Sequence, residues 1–144
     1  MTLENLLKIG QIKVHSTDRM EVQQLLDAAR RNLADAGVQA ISLETRFDAA
    51  YKTIMQTAMV ALLANGYRAD SRGHHQIMIQ SLTLTIGLAK ERMVVLDAMR
   101  RKRNAADYLG SYVDRVSLEA CIAQAQLLLS DVERWLGENR PELV

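Results

Sequence analysis

The chain has one cysteine, one proline, few aromatic residues and almost no net charge, and each scarcity removes a class of explanation. A lone Cys121 makes neither an internal disulfide nor a cysteine-based zinc site, so it reads as a small core residue at an apolar helical position. The single proline, Pro141, lies at the far C-terminal end, where it breaks no long helix. Aromatics are only 4% while Ala, Leu, Met and Gln are abundant, which favours helix formers over the β-branched and aromatic residues of strands. A net charge of +1 provides no overall field to hold nucleic acid, so any such contact must come from a local patch. The opening MTLENLLKIGQIKVH has no long apolar run, and neither a signal peptide nor a membrane span is expected. The default is a cytoplasmic protein with no membrane partner.

What is present is apolar periodicity. At 144 residues and 49% apolar content, the chain suits one helical domain over 1–144, with residues 1–15 as an N-terminal addition. Thr2 is placed to cap a short helix that stops at Gly10 and must dock to persist. Thr17 precedes a pattern of Val22, Leu25, Leu26, Ala29 and Leu33 that ends near Gly37. Ser42 opens the clearest helix, in which Phe47, Ala50, Ile54, Ala58 and Ala61 recur until Asn65-Gly66, giving about 24 residues and about 36 Å of rod.

After His74-His75, the residues Met78, Ile79, Leu82 and Ile86 form another apolar face, interrupted by Gly87. Either one helix bends there and runs over 74–104, or the chain reverses and makes two. A turn-rich stretch from Tyr108 to Arg115 leads to Ser117 as cap of a last helix, with Leu118, Cys121, Ala125, Leu128, Val132 and Leu136 inward and Gly137 as stop. No strand alternation is visible. Short connections between long amphipathic helices favour antiparallel neighbours, so the expected fold is all-α: an up-and-down antiparallel four-helix bundle with a short extra helix. Broad, Ala-rich stripes favour close packing and a homodimer.

The chemistry concentrates at Arg100-Arg101-Lys102-Arg103-Asn104-Ala105-Ala106-Asp107-Tyr108. Cations in the last turn of a helix interact well with its dipole, and a charge run alone needs no further role. Here an amide, a carboxylate and a phenol follow at once, and Arg100 and Arg103 share a helical face able to clamp a phosphate. His74 and His75 point about 100° apart on a helix and do not share a metal, so no metal site or cofactor is expected. If 74–104 is one helix, they lie some 45 Å from Arg103, and only a reversal at Gly87 or a partner subunit brings them close. Tyr51 reads as a bundle-edge residue with its ring buried and its hydroxyl in water.

The pair Arg103-Asn104, preceded by three basic residues, resembles the motif of HEPN domains (higher eukaryotes and prokaryotes nucleotide-binding). Arg46-Phe47-Asp48-Ala49-Ala50-Tyr51, Gly66-Tyr67-Arg68, Gly73-His74-His75 and Tyr108 extend the likeness to a bacterial branch of small HEPN proteins, over about residues 40–140. The resemblance implies a helical, usually dimeric domain, in a family whose members are often metal-independent ribonucleases of toxin-antitoxin or defence systems. It maps the catalytic arginine and polar residue to Arg103 and Asn104. The family's histidine, which follows after a short gap, has no counterpart here: Tyr108 occupies that spacing, and a phenol with a pKa of about 10 is a poor base at neutral pH. Two readings follow. One is a domain that binds RNA or nucleotide phosphate through Arg100, Arg103, Asn104 and Tyr108, with enzymatic activity open. The other is a catalytically silent module that pairs with a nucleotidyltransferase or antitoxin.

Overall fold

The computed structural model describes residues 1–70 and 74–144. Its elements are α1 (Leu3–Lys8), β1 (Ile12–Val14), α2 (Arg19–Ala36), α3 (Leu43–Ala64), β2 (Tyr67–Ala69), α4 (His74–Gln80), α5 (Leu82–Thr85), α6 (Lys90–Leu109), α7 (Arg115–Asn139) and a closing 3₁₀ turn (Pro141–Leu143). The fold is mainly α, and its long helices form the bundle that the periodicity implies. Gly73, part of one motif noted above, lies outside the described residues, as do Ser71 and Arg72.

α3 is the axis of the bundle, and most of its length is buried. Polar ties fix the direction of each neighbour. Arg46 Nε donates to the Ala36 carbonyl and Thr53 Oγ1 to the Ala29 carbonyl, so α2 runs antiparallel to α3. Asn65 approaches the Thr85 carbonyl while Arg103 meets Asp48, so the α5–α6 segment also runs antiparallel to α3. Arg92 pairs with Asp131 and Lys102 with Ser117, which sets α7 antiparallel to α6. Arg46 also serves the end of α2, a helix with no base in its own last turn: the buried guanidinium meets the negative end of the dipole and satisfies a free carbonyl.

The core between these helices contains Val22, Leu26, Phe47, Ile54, Leu62, Ile79, Leu96, Leu118, Leu128 and Val132, together with Cys121 as the sequence implies. Alanines 50, 58 and 61 of α3 are fully buried and allow close approach of its neighbours. Among the described residues, no helix is long and apolar enough to cross a membrane.

Several local expectations are corrected. The N-terminal addition docks through a strand as well as a helix: β1 pairs antiparallel with β2, with Lys13 opposite Arg68, each strand only three residues long. Strands this short carry no period that a sequence can display. Asp18, not Thr17, caps α2, and Asp114, not Ser117, caps α7, its carboxylate accepting from the Ser117 backbone N–H. A carboxylate at that position gains from the helix dipole as well as the hydrogen bond. Gly137 is helical, because α7 continues two residues further to Asn139. α6 likewise continues through Tyr108 to Leu109, ending at Gly110, whose φ of +68° supplies the left-handed cap.

The question at Gly87 is decided in favour of reversal. Gly87 has φ +67°, and it separates α5 from the start of α6 two residues beyond Leu88. This conformation costs glycine little and any other residue more. α4 and α6 therefore lie side by side within one chain.

Candidate functional site

α6 presents its chemistry on one face. Because the helix continues to Leu109, Arg100, Arg103, Asn104, Asp107 and Tyr108 fall at steps of three and four residues. Reversal at Gly87 then lays α4 against this face. His74, His75 and Gln76 line an open pocket of about 330 Å³ with Arg100, Arg103, Asn104 and Tyr108. Every residue assigned a site role from the sequence is therefore in one place, and the two histidines join them.

The arginines are held from behind. Arg103 Nε donates to Asp48 Oδ1 at 3.3 Å and lies 2.8 Å from Asp107 Oδ2. Its guanidinium carbon sits 5.6 Å from the centre of the Tyr51 ring, within cation–π range. Both carboxylate contacts use Nε, so the two terminal nitrogens take no part in them. The carboxylates more than offset the cost of burying the cation, and Arg103 remains charged. Arg100 Nε donates to Asp97 Oδ1 at 2.9 Å, and the outward Arg101 takes the other oxygen of the same buried carboxylate at 3.2 Å. Lys102 turns away to Ser117 and Asp114. The four-cation run is thus no continuous basic patch. Each member has an acidic partner, and only Arg100 and Arg103 reach the pocket.

Tyr51 departs from its expected role. It is buried, and its hydroxyl bonds to His75 Nδ1 at 3.1 Å rather than to water. Burial holds the phenol protonated well above its ordinary range, against the opposing pull of Arg103 and Arg100. His75 is half-buried, and its pKa is lowered first by that burial, then by His74, Arg103 and Arg100. It is accordingly a neutral imidazole at neutral pH. His74 stands edge-on to it, with ring centres 4.6 Å apart. Both histidines line the pocket, His74 as the first residue of α4.

Tyr108 also lines the pocket and is 75% exposed. Among the described residues, no group of three or more His, Cys, Asp or Glu is placed to hold a metal ion. The pocket lining brings together two guanidinium groups, two imidazoles, two amides and a phenol, a set chemically suited to an oxyanion and to proton transfer.

Sequence reasoning missed Asp48, Asp97 and Gln76 as site members. Asp48 and Tyr51 are three residues apart on α3 and so share a face, which is the one signal that could have joined them. No protein-family model and no curated protein matches this chain.

Proposed function

We propose that the pocket between α4 and α6 binds the phosphate of RNA or of a nucleotide. The observation that carries this reading is the convergence of Arg100, Arg103, Asn104 and Tyr108 with His74 and His75 in one open site. Arg100 and Arg103, oriented by Asp97 and Asp48, clamp the phosphate. Asn104 adds an amide, and the exposed Tyr108 ring gives a base a surface to stack on. A volume of about 330 Å³ with a wide mouth suits one nucleotide of a longer strand. The resemblance of Arg103-Asn104 and the segments around it to HEPN domains supports the same reading, and with it a place in a toxin-antitoxin or defence system.

The test is fluorescence anisotropy with a labelled single-stranded RNA at low salt. Wild-type protein retains the RNA, Arg103→Ala weakens binding about tenfold or more, and Arg101→Ala, which alters a side chain outside the pocket, has little effect. No retention by the wild type, or equal losses in both variants, overturns the reading.

A second reading rests on a separate observation. Leu109, Tyr112 and Val116 are exposed beside Tyr108 at the α6–α7 turn, Tyr112 to 91%. Exposed apolar side chains near one helix end support a contact surface, here for a second copy of the chain or for a partner such as a nucleotidyltransferase or antitoxin. Light scattering at micromolar concentration distinguishes a homodimer from a mass near the 16.2 kDa of one chain.

A further inference from the structure

A second cavity, of about 290 Å³, lies where the turn after α5 meets α7, toward the opposite end of α6 from the phosphate pocket. Arg92 lines it and stands about 12 Å along the helix from Arg100, so the two sites share no residue. We propose that this cavity binds a small carboxylate carried on an apolar body, held by the unused edge of the Arg92 guanidinium and packed against Trp135.

The fold uses only part of Arg92. Its Nη1 pairs with Asp131, which ties α6 to α7. Nε and Nη2 are buried and have no hydrogen-bond partner among the described residues. These two nitrogens form one side of the planar group, where their N–H bonds run parallel and match the two oxygens of a carboxylate. Buried donors without an acceptor cost stability, and a cation stripped of water costs more than a neutral group. The side chain therefore gains most from a ligand that brings two acceptors and a negative charge together. Because this edge is shielded from water, a ligand reaches it as the cavity lining gives way, and the half-buried Trp135 belongs to that lining.

The surroundings narrow the ligand. Asp131 also accepts from Arg134 Nη2 at 2.8 Å, so one carboxylate is shared by two arginines and the group keeps a net positive charge. Glu138, a further carboxylate of the lining, opposes any negative charge beyond the first, which favours a monocarboxylate over a phosphate or a dicarboxylate. Ile86, Leu88 and Trp135 supply an apolar wall for the rest of the molecule. Two sources share this chemistry: a free organic acid, and an apolar α-amino acid whose ammonium group suits Glu138.

Trp135 is the single tryptophan of the chain, so its emission reports on this cavity alone. The experiment titrates the full chain at constant ionic strength with 4-methylpentanoate, leucine, 4-methylpentanamide and inorganic phosphate. Saturation-transfer NMR of each ligand runs in parallel and registers binding that leaves the indole emission unmoved. Both carboxylates saturate the protein in the millimolar range expected for so few atoms, while the amide and phosphate do not. Arg92→Lys keeps a cation for Asp131 but removes the parallel donor pair, and weakens both carboxylates about tenfold or more. Tighter binding of leucine assigns an amino acid as the source, and equal or tighter binding of 4-methylpentanoate assigns a free acid; either result supports the proposal. It is overturned by no binding of either carboxylate, by an amide or phosphate that binds as well, or by Arg92→Lys binding as the wild type does. Should Arg92→Lys fail to fold by circular dichroism, the comparison of carboxylate with amide on the wild type still decides.

Discussion

Arg103 of α6 donates from Nε to Asp48 of α3 at 3.3 Å, joining residues 55 apart in the chain. The bond is partly buried, and Lys52 shares the other Asp48 oxygen at 3.4 Å. Asp48→Asn keeps the shape of the side chain and removes its charge, so it is expected to destabilise the fold modestly, by about 0.5–1 kcal/mol, since much of the pair is screened by solvent. The larger effect falls on the pocket. With less charge behind it Arg103 loses its fixed orientation, while the local field becomes more positive, so RNA binding becomes more sensitive to salt. Urea unfolding and anisotropy over a salt series measure the two effects separately.

Gly87 is expected to tolerate substitution poorly even though a Cβ there would meet no atom within 4 Å. The penalty comes from the backbone, at φ +67°. Gly87→Ala should cost about 1 kcal/mol in urea unfolding. A strained reversal also shifts α4 against α6, so Gly87→Ala should weaken RNA retention more than a change of equal stability cost placed far from the pocket.

His75 links stability to pH. Its pKa is lowered in the folded chain, so the unfolded chain binds the proton more readily, and protonation favours unfolding. The contribution is complete above the unfolded value near 6.5 and is lost as pH falls through the lower folded value. Between about pH 7.5 and pH 5.5 the melting temperature of the wild type should fall, and His75→Gln should flatten that slope. An equal slope in both proteins would place the linkage elsewhere.

Cys121 provides a probe of the core. Burial raises its thiol to about 12, and the side chain is fully enclosed. Iodoacetamide at mildly alkaline pH should leave it unmodified in the native protein and alkylate it in denaturant. Rapid native labelling, read by mass spectrometry, would mean that the α3–α7 packing opens far more often than a closed core allows.

The sequence by itself determined the helical class, the bundle, the caps at Thr2 and Ser42 and the chemistry of α6, because these depend on neighbours three or four residues away. That range is also why Arg100, Arg103, Asn104 and Tyr108 could be grouped before any coordinates, and why three-residue strands and the exact caps at Asp18 and Asp114 could not be read. Only the tertiary structure decided where the histidines lie. Gly87 admitted a bend or a reversal, two local conformations that differ little in sequence signal and by tens of ångströms in where His75 ends up. Packing chose the reversal, because Met78, Ile79, Leu82 and Leu96 bury completely, or nearly so, when α4 and α5 fold back over α3 and α6. The same choice placed Tyr51 between His75 and Arg103, so that a hydroxyl read from its helix alone as facing water meets an imidazole instead.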